Sequence, residues 1–213
     1  MEDKKSLLLV EGKSEMYVIG ELCPICGITK NFEIEAENSI NTLKIALKTY
    51  LKSTNQFNKI WVIIDADTNF ASAWQSIRDI LIRSGKFPDV NHKTILPNTG
   101  IVIKPKDCND ITVGVWIMPN NSDVGMLEDF LMSLINDNNN LYKEAQDIIE
   151  KLELDKNIYP GIYKPVHKSK ATIHTWLAWQ DEPGQSLGTA INKRLFNTDK
   201  DLCARFTNWL NQL

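Results

Sequence analysis

Apolar residues follow two patterns along this chain. Unbroken runs, Leu7-Leu8-Leu9-Val10, Ile60-Trp61-Val62-Ile63-Ile64 and Val113-Gly114-Val115-Trp116-Ile117-Met118, are separated by longer stretches in which apolar positions recur every three or four residues. Unbroken runs of this length are the pattern of strands buried on both faces, as in a parallel sheet. They predict strands over 6–10, 59–65 and 113–118, the last stopped by Pro119. Residues 31–36 alternate Phe32, Ile34 and Ala36 with Glu33 and Glu35, which predicts a half-exposed strand, and a short strand is expected over 101–103.

The three-to-four spacing predicts helices over 13–22, 39–52 (with Ser39 as N-cap), 71–84 (ending near Gly85), 126–135, 141–152, 168–179 and 200–212. Strand–helix alternation of this kind gives an α/β fold: a Rossmann-like, mostly parallel central sheet flanked by helices, with right-handed crossovers. Residues 1–135 are expected to form the α/β core. Residues 136–213 are expected to form a helical extension packed on it.

Composition narrows the options. The chain has 213 residues, 43% of them hydrophobic, enough for a sizeable core. No apolar stretch approaches the roughly 18–20 residues that span a bilayer. The N-terminal Met1-Glu2-Asp3-Lys4-Lys5 carries acids and leads straight into strand-like sequence, so it is not read as a signal peptide and a cytoplasmic protein is expected. A net charge of −3 and a pI near 5.7 argue against a uniformly basic surface that coats nucleic acid. Local charge says more: residues 156–180 hold four lysines and two histidines and no acid. Cys23-Pro24-Ile25-Cys26 has half the pattern of a zinc knuckle. Four ligands are needed, no second CxxC exists, and Cys108 offers only irregular spacing, so reduced thiols and no zinc are expected.

The chemistry sits at the strand ends. Glu11-Gly12 closes the first run, and Glu15 follows four residues later, a spacing that can set both carboxylates on one side of the strand-to-helix turn. Asp65-Ala66-Asp67 closes the central run, and an i, i+2 pair in extended backbone points one way. Gly125-Met126-Leu127-Glu128-Asp129-Phe130 follows the third run. In open α/β sheets ligands bind outside the carboxyl ends of the strands, so these acids are expected at one edge. Clustered carboxylates repel unless protonated or bridged, and an all-oxygen set suits Mg²⁺ or Mn²⁺. Each motif also has a plainer reading. Glu15, Glu128 and Asp129 could be first-turn helix acids, Asp65 and Asp67 turn residues, and Lys170 a solvated surface lysine. Trp176 and Trp179 could stack on bases, but their spacing beside Ile173 and Leu177 favours core packing.

Glu-Gly after the first strand and Asp-x-Asp after a later one resemble the Toprim domain shared by topoisomerases, primases and several nucleases. With Glu15, Glu128, Asp129 and Lys170 the set resembles the OLD nucleases (overcoming lysogenization defect), which carry an ExxxE first motif and a downstream lysine. The stretches Gly114–Pro119, Gly125–Phe130 and Thr175–Gln180 look closer still to an uncharacterised stand-alone Toprim-like family, over nearly the whole chain. The resemblance implies Mg²⁺- or Mn²⁺-dependent phosphodiester hydrolysis of nucleic acid, DNA favoured over RNA, in phage defence or nucleic-acid processing.

Glu11, Asp65, Asp67 and Lys170 would then be catalytic. Glu11, Asp65 and Asp67 would hold one ion, and Glu15 with Glu128 or Asp129 a second. Lys13, Lys164, His167 and Lys168 would contact phosphates. OLD nucleases carry an ATPase domain ahead of the Toprim domain. This chain has no GxxxxGK[ST] loop, so ATP gating would fall to a partner ATPase. A homodimer is compatible with this reading. Two alternatives stay open: a non-catalytic module binding nucleic acid, a nucleotide or a partner, and primase-like nucleotidyl transfer.

Overall fold

The computed structural model describes residues 5–53, 57–107, 110–154 and 161–213. In chain order the elements are β1 (Lys5–Val10), α1 (Lys13–Ile25), β2 (Phe32–Ala36), α2 (Ile40–Lys52), β3 (Phe57–Asp65), α3 (Phe70–Ser84), β4 (Ile101–Ile103), β5 (Thr112–Met118), α4 (Leu127–Ser133) and α5 (Asn140–Leu154). A 3-10 turn (Pro165–His167), α6 (Lys168–Ala178), α7 (Leu187–Asn192) and α8 (Asp201–Leu210) complete it. The apolar periodicity gives these elements to within a few residues. Helix α7 and the 3-10 turn lack a long periodic signature and escape it. Ser39 caps α2 by accepting from the Thr42 N–H, and Gly85 ends α3 in the left-handed region at φ 70°.

The five strands lie in the order β2-β1-β3-β5-β4. All neighbours are parallel except β4, which pairs antiparallel with β5 at the edge. Both faces of the sheet are covered, which is why its central strands read as unbroken apolar runs. Leu8, Val10, Trp61, Ile63, Trp116 and Met118 face a core shared with α1 and the helices from α4 onward. Leu7, Leu9, Ile60, Val62, Val115 and Ile117 face α2, α3 and the segment carrying Phe87, Val90 and Leu96.

The C-terminal helices close the first face through aromatic packing. Trp116 lies between Phe206 and Trp209, with ring centroids 5.1 and 5.6 Å away. The Trp61 indole N–H donates to the Trp209 carbonyl at 3.2 Å. Gly114 sits opposite Trp61 in the sheet, and a Cβ there would lie 2.5 Å from its ring. The glycine is the space into which the indole fits. Trp176 is buried in the same core, whereas Trp179 is 39% exposed. No helix among the described residues is long and apolar enough to cross a membrane.

One feature of the topology positions the site. After β1 the chain turns to α1 on one face, and after β3 it turns to α3 on the other, although β1 and β3 are neighbours. The two connections diverge and leave a crevice at the carboxyl ends, the usual ligand position in such sheets.

Candidate metal and phosphate site

The crevice is lined by acids. Glu11 leaves the end of β1 and Asp65 ends β3. The Asp65 main-chain N–H donates to Glu11 Oε1 at 3.1 Å. The Asp65 carboxylate turns the other way, where its Oδ1 accepts from the Leu127 N–H at the start of α4 at 3.0 Å. Residues alternate faces along a strand. Leu7 and Leu9 put Glu11 on the α2–α3 side, and Trp61 and Ile63 put Asp65 on the side of α1 and α4. Asp67 closes the loop after β3 with φ 48°, and it pairs with Gly125 through two main-chain hydrogen bonds of 2.8 Å. That bridge ties the β3 loop to the entry of α4, so Glu128 is drawn into the same crevice.

Five acids influence one another electrostatically here. Burial pushes the Asp65 carboxyl well above its usual range, and Glu15, Glu11, Glu128 and Asp67 all push it further. Glu11 rises to about 7, chiefly through burial. The Asp65 N–H opposes that rise, Asp67 and Glu15 add to it, and Lys44 lowers it. Glu128 is also raised, with burial outweighing Lys170, whose Nζ stands 3.9 Å from Glu128 Oε1. Glu15 is buried and its carboxylate folds back over Gly12, where a Cβ would lie 3.0 Å from Oε2. The cluster therefore has two lobes. Asp65, Glu15 and Glu128 neighbour one another on one side, with Lys170. Glu11 and Asp67 lie on the other, lining a cavity of about 250 Å³ that Asp65, Lys44, Ser72 and Ser76 also border. Among the described residues, no three Asp, Glu, His or Cys side chains converge closely enough as they stand to hold an ion.

The remaining candidates are placed differently. Asp129 takes the plainer of its two roles. Its Oδ2 accepts from the Met126 N–H at 2.8 Å and its Oδ1 from the Ser169 hydroxyl at 2.6 Å. Both oxygens are engaged in capping α4 and clasping α6, which favours the helix-acid reading of Asp129. Lys168 pairs with Glu153 at 2.7 Å. Lys164 and His167 are exposed around the 3-10 turn, and Lys13 is exposed at the start of α1. Cys23, Cys26 and Cys203 are free thiols, and Cys108 lies outside the described residues.

Sequence reasoning missed two contributors. Lys44 sits one turn into α2, and its signal was its distance from the Ser39 cap, which sets it at the carboxyl edge of the sheet. Ser169, between two lysines, had no signal, because its partner Asp129 lies forty residues away.

Comparison with known proteins agrees with this architecture. The C-terminal region of the OLD protein of Xanthomonas campestris pv. campestris superposes with a TM-score of 0.51 at 11% identity, covering 100% of this chain and 96% of that one. At that identity the likeness is one of fold. A comparison with curated proteins finds no match. The family model DUF3226, described as a protein of unknown function, matches residues 5–213. With nearly its whole length matched, the chain belongs to the DUF3226 family.

Proposed function

We propose that the carboxylate crevice hydrolyses phosphodiester bonds of nucleic acid with the help of divalent cations, in the manner of a Toprim nuclease. The observation that carries the reading is Asp65, a half-buried carboxyl at the end of β3 whose charge is opposed by four neighbouring acids. Such a cluster is unfavourable by itself and becomes favourable when positive charge enters it. The donors are oxygen throughout, which suits Mg²⁺ or Mn²⁺. They fit such an ion in charge and chemistry. Asp65, Glu15 and Glu128 would hold one ion, and Glu11 with Asp67 a second. Ions bound there would activate water and neutralise charge on the phosphoryl oxygens.

The chain's own groups do the rest. The Asp65 N–H fixes Glu11 through Oε1 and leaves Oε2 free to face the crevice. The Asp129–Ser169 clasp holds the start of α6 against α4 and so positions Lys170, one residue further on. From there the Lys170 ammonium can offset charge developing on the reacting phosphate. Lys44 gives the outer lobe a cation for binding an adjacent phosphate. ATP gating by a partner ATPase belongs to the same reading, and so does a preference for DNA.

A second reading is a non-catalytic module that binds nucleic acid or a partner. One observation favours it: the carboxylates do not close on a single point as they stand. Incubation with supercoiled DNA, single-stranded DNA and RNA, each with Mg²⁺, Mn²⁺ or EDTA, separates the two. The nuclease reading expects cleavage with Mn²⁺ or Mg²⁺ that disappears in EDTA and in Asp65→Asn. Cleavage surviving in either would contradict it.

A further inference from the structure

We infer that the groove between α2 and α3 carries a single nucleic-acid strand to the carboxylate crevice along a row of cations. Lys44, Lys48 and Lys52 stand four residues apart on α2. Four residues advance a helix by about 6 Å and turn it only about 40° beyond a full circle, so the three amines rise one above another over roughly 12 Å. The same two helices wall two cavities. At the carboxyl edge of the sheet, Lys44 from α2 and Ser72 and Ser76 from α3 border the cavity that holds Glu11, Asp65 and Asp67. Further along, Lys48, Lys52, Arg83 and Lys86 border a cavity of about 430 Å³ against Leu51 and Ile80, and among the described residues no acid lines it.

These cations are largely uncommitted. Lys86 pairs with Asp110 at 2.5 Å. Among the described residues, Lys48, Lys52 and Arg83 form no ion pair, and all three are exposed. In a chain of net charge −3 this is a local concentration of positive charge leading to the acidic crevice.

The chemistry of the occupant follows. Regularly spaced cations along a groove match a polymer with regularly spaced anions, namely a phosphodiester backbone. Packed helix axes lie about 8–10 Å apart, so the trough between two of them matches one strand in width. No aromatic side chain lines either cavity, so base stacking has no platform here. Binding would rest on backbone charge, indifferent to sequence and strongly dependent on salt. The inference takes its substrate class from the phosphodiester reading above and adds the path by which the strand arrives.

The test is fluorescence anisotropy with a labelled single-stranded 20-mer (about 20 nucleotides, to exceed the groove) in EDTA, over a range of salt. Lys48→Glu/Lys52→Glu/Arg83→Glu is expected to weaken binding at least tenfold and to flatten the salt dependence by about two charges. Lys48→Gln/Lys52→Gln/Arg83→Gln should fall between it and the unaltered protein, and Lys143→Glu, on exposed α5, should bind normally. The groove assignment is overturned if the unaltered chain does not bind, if the triple charge reversal binds normally, or if Lys143→Glu loses as much. A parallel cleavage assay with Mn²⁺ keeps the two claims apart. Binding that depends on the groove without cleavage by any form would sink hydrolysis and leave the groove standing. Cleavage and binding that ignore the groove variants would do the reverse.

Discussion

The main-chain N–H of Asp65 donates to the side chain of Glu11 across the neighbouring strands β3 and β1, at 3.1 Å. One catalytic candidate thus holds another with its backbone, while its own carboxylate is held by the Leu127 N–H. Both acids are oriented by amide donors rather than by lysine or arginine. Burial is the largest influence on the protonation of both; repulsion adds to it, while for Glu11 the Asp65 N–H and Lys44 pull the other way.

A pH dependence of stability follows. Glu11 binds its proton up to about pH 7 in the folded chain against an ordinary 4.5, and Asp65 and Glu128 are shifted the same way. Between those two pH values the folded state holds more protons than the unfolded state. Unfolding free energy therefore falls as pH rises through the window and is lowest above it. Thermal melts in EDTA should show a lower Tm at pH 8 than at pH 5, and Asp65→Asn should reduce the difference. A higher Tm at pH 8 would show that the acids are stabilised by something other than protons.

Lys170 and Lys168 make a discriminating pair. Lys170 faces Glu128 and the crevice, whereas Lys168 is committed to Glu153. Lys170→Gln should lower kcat by about 10²-fold, the usual cost of removing one electrostatic donor to a transition state, with little change in Tm. Lys168→Gln should leave kcat within a few-fold. Steady-state kinetics giving the opposite order would reassign the lysine.

Two glycines test the packing that presents the site. An added Cβ at Gly114 would lie 2.5 Å from the Trp61 ring, whereas at Gly20, inside α1, it would meet nothing within 4 Å. Gly114→Ala should destabilise by about 1–3 kcal/mol through overpacking. Gly20→Ala should be neutral or stabilising by up to about 1 kcal/mol through helix propensity. Urea denaturation measures both, and equal effects would mean that Trp61 repacks freely.

The strands and the long helices were legible because their patterns are local: unbroken apolar runs for β1, β3 and β5, and the three-to-four spacing for α2, α3 and α8. The acids were legible for the same reason, since a residue at the end of a buried strand has only one place to go. What stayed hidden depends on residues far apart in the chain. Asp129 could be read as a ligand or as a helix acid, and its bond to Ser169, forty residues away, is not carried by any local motif. The division of the acids into two lobes came from strand parity combined with the face each helix covers, which a linear motif does not carry. The lysines at 44, 48 and 52 were in plain view as a four-residue repeat, but only the position of α3 makes them the wall of a groove.

The central claim is that the acids in this crevice bind a divalent cation, and Mn²⁺ titration at pH 8 by calorimetry or electron paramagnetic resonance tests it without requiring catalysis. The unaltered protein should bind Mn²⁺ stoichiometrically with a rise in Tm. Asp65→Asn should lose about tenfold or more in affinity, while Asp129→Asn should retain most of it. Mn²⁺ binding that is undetectable, or that Asp65→Asn leaves untouched, would contradict the account.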